Sequence, residues 1–414
     1  AISDGILETP VTWADFEQRL RTALGTEARF GADKSVLDIG DGNGFASKCG
    51  LITCDWTGGA DDEQLPKRVV LKIPSALPFR KMNDTLPPAQ RMFDGNDAAW
   101  EMMERKLREV HDVEVVIYDF LEEFKGLTMA KKYYGQAFGM AKTGGQICLE
   151  YVENSRMMNF HEKHTVEQIK QIAQAIGKIQ ACSLKKEPTA PELKKDFFEE
   201  FMTTISLEAY VGMFKGMLAL DNSEQTKQLM EKIDRLVHEY YGSNFASTIL
   251  QKMGLRSVLV NGDLRTENVL IDKDTGDLAA LIDWQCTHLG VGVEDLHRIA
   301  MFALTTEERR ASTPMLIEEM YNSLVESLDG AEPPYYLETL MLLSDLIFPH
   351  CAFFFAGGCI AMIMNQMNDP SLTDEEKAER KEVEMDKIIG ALEDIVELDI
   401  KNMKHAANLQ FRKS

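Results

Sequence analysis

At 414 residues the chain exceeds one ordinary compact core, and its length predicts two domains or two large lobes. Apolar residues at 44% and charged residues at 27% exclude disorder over most of the chain. A formal net charge of −22, from 45 Lys and Arg against 67 Asp and Glu, repels polyanions and disfavours a nucleic-acid partner, yet leaves room for one nucleotide held by local amides, a lysine and a metal.

The residues WADFEQRLRTAL from Trp13 to Leu24 have helical apolar spacing and predict an amphipathic leading helix. Three short β-rich runs follow, Ser35 to Asp41, Lys48 to Trp56 and Lys67 to Ile73, separated by turns and without helices between them, which predicts an antiparallel meander. After a connection holding Pro74, Pro78, Pro87 and Pro88, helical spacing returns from Asp97 to Tyr118. Two further strands are expected at Leu127 to Phe138 and Gln146 to Val152.

Beyond that point the chain reads as mostly helical. Thr165-Val-Glu-Gln168 is a capping box, with Val166, Ile169, Ile172, Ile176 and Ile179 along one face. Helical patterns recur at about 195–220, 223–243, 306–328, 335–365 and 373–405, interrupted by short strands on either side of a turn-rich loop between Ser257 and Asp283. A β-rich lobe over 1–150 followed by a helical lobe over 151–414 is α+β, not a βαβ alternation, which argues against a Rossmann fold.

Seven scattered cysteines without a CxxC pair fit a reducing compartment, and AISDGILETPVTW lacks the pattern of a secretory signal, so a cytoplasmic location is expected. Leu346 to Met364 approaches the length of a membrane span; Pro349, Gly357 and Gly358 and the lack of basic flanks favour a buried helix, so no span is expected. Apolar patterning sets no oligomeric state.

The chemistry concentrates in Val260-Asn-Gly-Asp-Leu-Arg-Thr-Glu-Asn268 and in the Asp283 that follows between Ile282 and Trp284. Phosphoryl transfer needs a group that orients the acceptor hydroxyl, for which Asp263 is the candidate, and oxygen ligands for Mg²⁺, for which Asn268 and Asp283 are the candidates. Upstream, Gly42, Asn43, Gly44 and Ser47 lie in a glycine-rich turn suited to phosphate oxygens. Lys72 follows in the apolar run VVLKI, where it needs an anionic partner, and Glu114 on the next helix is the carboxylate expected to orient it. Glu150, Tyr151 and Val152, at the lobe junction, are expected to offer backbone groups to an adenine by position alone. His288 and His297 receive no role, and the 22 methionines read chiefly as core filling.

GDGNGFASK, VVLKI, VEVVIY, IQACSL, NGDLRTENVL and LIDWQCTHLGVGVEDL together resemble the CHK kinase-like, ecdysteroid kinase-like branch of the aminoglycoside phosphotransferase and choline kinase superfamily, over nearly the whole chain. The resemblance implies a two-lobed protein-kinase-like fold, with ATP and Mg²⁺ as cofactors and a small-molecule hydroxyl of steroid, glycoside or amino-alcohol type as acceptor. It also implies a supporting role for Asp295. Asn261 and Gln180 stand where that family usually has histidine, which raises the alternative of a catalytically weak kinase-like protein that binds nucleotide or a lipophilic ligand. Without a recognisable DFG and APE pair, protein kinase activity fits less well.

Overall fold

The computed structural model describes residues 5–40, 46–58, 64–85, 97–139, 144–189, 193, 196–202 and 205–411. By its internal contacts the chain forms two units, Ala1–Ser155 with Ala279–Gln285, and Arg156–Leu278 with Cys286–Ser414. The first break lies near the expected 150/151 boundary, but 279–285, expected in the helical part, belongs to the first unit. The cause is a tertiary contact: the Leu281 amide donates to the Thr128 carbonyl at 3.0 Å, and Leu281 bridges Met129 in parallel register.

In the first unit α1 (Trp13–Leu24) starts where Thr12 accepts the Asp15 amide and stops at Gly25, whose φ of 66° favours glycine. Five antiparallel strands form one sheet: β1 (Ser35–Asp38), β2 (Ser47–Thr53), β3 (Arg68–Pro74), β4 (Lys132–Gln136) and β5 (Gln146–Glu150). Their spatial order is β1-β2-β3-β5-β4, so the first three form the expected meander while β4 goes to the edge and β5 pairs with β3.

Strand period decides what β3 buries. Val69, Leu71 and Ile73 join a core with Phe16, Leu20, Phe30 and Ile52, while Lys72 alternates to the opposite face. Between β3 and β4 lie α2 (Leu77–Thr85), which sequence spacing did not reveal within the proline-rich connection, and α3 (Asp97–Leu121). Pro78 is compatible with α2 because it occupies the first turn, where no intrahelical amide bond is lost.

The second unit is largely helical. The capping box at Thr165 and Gln168 opens α4 (Val166–Lys185) as expected. Strands β6 (Val258–Val260) and β7 (His288–Gly290) pair antiparallel and lead into α5 (Glu294–Ala303), whose ten residues are all buried. The larger helices α6 (Thr306–Ser327), α7 (Leu337–Met367) and α8 (Asp374–Phe411) follow. Phe353, Phe355 and Ile360 of α7 pack with Ile388, Leu392 and Ile395 of α8 in the main core. By length and composition α7 is long and apolar enough to cross a membrane, but 67% of its apolar window is packed inside the protein.

Candidate active site

In the first unit, strand alternation on β3 delivers Lys72 to a nearly dry position. Its ammonium lies 2.8 Å from Glu114 Oε2 on α3 and 2.8 Å from Asp283 Oδ1. Glu114 is fully buried, and its other oxygen accepts the Trp284 amide at 3.3 Å. One carboxylate thus fixes both the lysine and the backbone beside Asp283. Burial alone would lower the Lys72 pKa, but Asp283 and Glu114 more than reverse this and hold it well above the ordinary lysine value. Burial, opposed by Lys72, holds Glu114 above the usual carboxylate range.

Asp283 has φ 61°, a left-handed conformation that costs a non-glycine residue roughly 1–2 kcal/mol. The surroundings maintain it: Lys72 takes one carboxylate oxygen, and the Gln285 side-chain amide lies 3.4 Å from the other.

Gly42, Asn43 and Gly44 lie outside the described residues. The flanks of their turn are tied by Asp38, which accepts Lys48 Nζ at 2.7 Å and the Gly40 amide at 3.1 Å. Ser47 is buried, its hydroxyl 3.6 Å from Cys49 Sγ, and Cys49 stands opposite Lys72 in the strand register. The carboxylate of Glu150 accepts the Lys131 amide at 3.1 Å, Tyr151 lies 4.4 Å under the Arg68 guanidinium, and the Val152 carbonyl accepts the Ser155 hydroxyl at 2.6 Å.

In the second unit, the loop after β6 is shaped by amide bonds. Asp295 accepts the Asn261 amide at 2.6 Å and the Gly262 amide at 2.9 Å. Burial pushes its carboxyl up to about 6, against the pull of those two amides. Gly262 has φ 82°, and a Cβ there would collide with the Cys286 carbonyl, so only glycine fits this turn. Asn261 Oδ1 accepts the Asp263 amide at 3.1 Å, which braces the loop without histidine's charge. Gln180 donates to the Gly292 carbonyl at 2.7 Å.

Asn268 is buried and donates its side-chain amide to the Asp263 carbonyl at 2.8 Å, which leaves its Oδ1 as the atom suited to a cation. Two guanidinium groups flank the Asp263 carboxylate, Arg265 and Arg298, each 3.8 Å away. Arg298 stacks on Phe198 and Phe354 at 5.0 and 5.3 Å from the ring centroids. Sequence reasoning missed both arginines. Arg265 lies inside the motif and was open to notice, whereas Arg298 sits on a buried helix 35 positions downstream of Asp263 and has no local signal.

The DUF1679 family model, described as "Uncharacterized oxidoreductase dhs-27", matches residues 1–403. The chain belongs to the DUF1679 family. An uncharacterized kinase-like protein of Caenorhabditis elegans is 24% identical over 293 residues, covering 70% of this chain and 73% of that protein. The uncharacterized oxidoreductase dhs-27 of Caenorhabditis elegans is also 24% identical, over 298 residues; the match covers 68% of this chain and spans only about a third, 34%, of that relative. Among solved structures, a choline kinase from Cryptosporidium parvum is similar at 10% identity and a TM-score of 0.49, over 89% of this chain and 91% of that one. This DUF1679 member is α+β, with an antiparallel sheet carrying Lys72 in the first unit and a largely helical second unit carrying the Asp263 loop.

Proposed function

We propose that this protein is a phosphotransferase that moves the γ-phosphate of ATP to a hydroxyl of a small molecule. The observation that carries this reading is the buried ion triad of Lys72, Glu114 and Asp283. A buried lysine held charged by two carboxylates often stabilises a protein no more than hydrophobic packing of similar volume, so stability alone does not account for it and a use for the charge does. An ammonium fixed in this way is suited to phosphate oxygens, with Glu114 setting its direction.

Asn268 Oδ1 in the second unit and the Asp283 carboxylate in the first are each a hard oxygen donor of the kind Mg²⁺ takes. When bound, Mg²⁺ neutralises charge on the β- and γ-phosphates. Asp263 orients the acceptor hydroxyl and receives its proton as the phosphoryl group leaves the nucleotide. Arg265 and Arg298, each 3.8 Å away, flank its carboxylate. The acceptor is a steroid, glycoside or amino alcohol.

Nucleotide turnover across such hydroxylated acceptors tests the reading. At least one is expected to be phosphorylated, with the rate falling on the order of 10²–10⁴-fold in Asp263→Ala. Silence with every acceptor, together with no response to Mg·ATP, would reject it.

A further inference from the structure

Three side chains of the second unit, Asp196, His288 and Glu294, each offer one ligand atom, and these atoms lie within 4.8 Å of one another. His288 Nε2 lies 3.2 Å from Glu294 Oε2 and 3.8 Å from Asp196 Oδ2. In each residue the other donor atom is already engaged by backbone. His288 Nδ1 lies 3.1 Å from the Cys286 carbonyl, which only accepts, so Nδ1 carries the proton and Nε2 faces the carboxylates. Glu294 Oε1 accepts the Val291 amide at 2.5 Å, and Asp196 Oδ1 accepts the Phe198 amide at 2.8 Å. Backbone groups that orient a histidine and two carboxylates in this way are the usual outer layer of a metal site.

Without an ion, a proton on Nε2 would reach Glu294 through a hydrogen bond and Asp196 through charge alone, at 3.8 Å. A divalent ion about 2.1 Å from each donor would hold tetrahedral ligands about 3.4 Å apart. The observed separations of 3.2 and 3.8 Å lie on either side of that value. One nitrogen and two carboxylate oxygens suit zinc, with a fourth position left for water.

We propose that Asp196, His288 and Glu294 form a zinc site that braces the Asp263 loop. His288 stands opposite Val260 in the β6–β7 register, immediately before Asn261, and Glu294 precedes the Asp295 that holds the Asn261 and Gly262 amides. Asp196 brings the segment leading to Phe198, which stacks on Arg298. The ion therefore ties together the segments that set both Asp263 and one of its flanking arginines. The proposal does not rest on the phosphotransfer reading.

The test is zinc titration by calorimetry into the full chain, purified without a histidine tag, stripped with a chelator and free of nucleotide. One equivalent of Zn²⁺ is expected to bind the wild type and Asp283→Asn alike, with a rise in melting temperature. Binding should weaken on the order of 100-fold or more in Glu294→Gln and in Asp196→Asn. Absence of saturable binding to the wild type would overturn the proposal, as would equal binding in both variants.

Discussion

Lys72 and Lys387 are both buried, 7% and 1% exposed, yet their surroundings treat the charge in opposite ways. Lys72 meets two carboxylates, and its pKa is held well above the ordinary lysine value despite the opposing effect of burial. Lys387 on α8 donates instead to three backbone carbonyls, of Phe160 at 2.6 Å, Glu162 at 2.8 Å and Phe302 at 2.8 Å. Burial brings its pKa down to about 8, with Glu384 only partly opposing the fall. Carbonyls satisfy donors, whereas carboxylates also retain the charge. Lys387 therefore fastens a helix to its core, whereas Lys72 is held as a cation by its two carboxylates.

Function should separate the two lysines most. In Lys72→Met turnover is expected to drop on the order of 10²–10³-fold. In Lys387→Met, assayed well below its melting temperature, turnover should stay within about twofold. Steady-state kinetics on both variants checks this, and equal losses would erase the distinction.

Stability should separate them less. Lys72→Met leaves the fully buried Glu114 facing no cation and should cost about 3–5 kcal/mol, of which the double change Lys72→Met with Glu114→Leu should recover at least ~1 kcal/mol. Lys387→Met strands carbonyls and removes only one of the two cations acting on Glu384, Arg380 being the other, and should cost about 1–3 kcal/mol. Urea unfolding measures all three, and a double variant no more stable than Lys72→Met would refute the explanation from stranded charge.

The smallest effect is on pH dependence, and its sign differs between the lysines. Lys387 titrates near 8 in the folded chain, below the 10.5 of an ordinary lysine, so between these values the unfolded chain binds more protons and stability rises with pH. The rise is at most ~1.4 kcal/mol per pH unit. Lys72 is shifted upward, so its contribution is complete below 10.5 and is lost only as pH rises toward its still higher folded value. Unfolding midpoints of wild type and Lys387→Met at pH 8 and pH 10 should therefore diverge, the wild type gaining relative to the variant. Parallel behaviour would contradict the lowered pKa.

The two lysines also show how far the sequence could be read. Lys72 stands out because a charge interrupts a period-two apolar strand, and its motif partners Asp263, Asn268 and Asp283 lie close together in sequence. Lys387 sits in a helix rich in charge, where nothing local distinguishes a buried lysine from a solvated one. The strands, the capped helix and the α+β class were legible because period and capping are local. The return of 279–285 to the first unit, the edge position of β4, Arg298 beside Asp263 and the meeting of Asp196 with His288 were not, because each depends on residues far apart in the chain. Asn261 is an intermediate case. Its departure from histidine was visible, but that its side chain still braces the Asp263 amide required coordinates.

On the proposed function, the Lys72–Asp283 pair serves a magnesium-bound triphosphate. Thermal unfolding of the wild type and of Asp283→Asn, each with ATP plus Mg²⁺ and with ATP plus EDTA, tests it most directly. At 100 times the dissociation constant, Mg·ATP should stabilise the wild type by about 2.7 kcal/mol, visible as a rise in melting temperature that EDTA abolishes and Asp283→Asn lacks. A wild type indifferent to Mg·ATP, or a variant stabilised as much as the wild type, would contradict it.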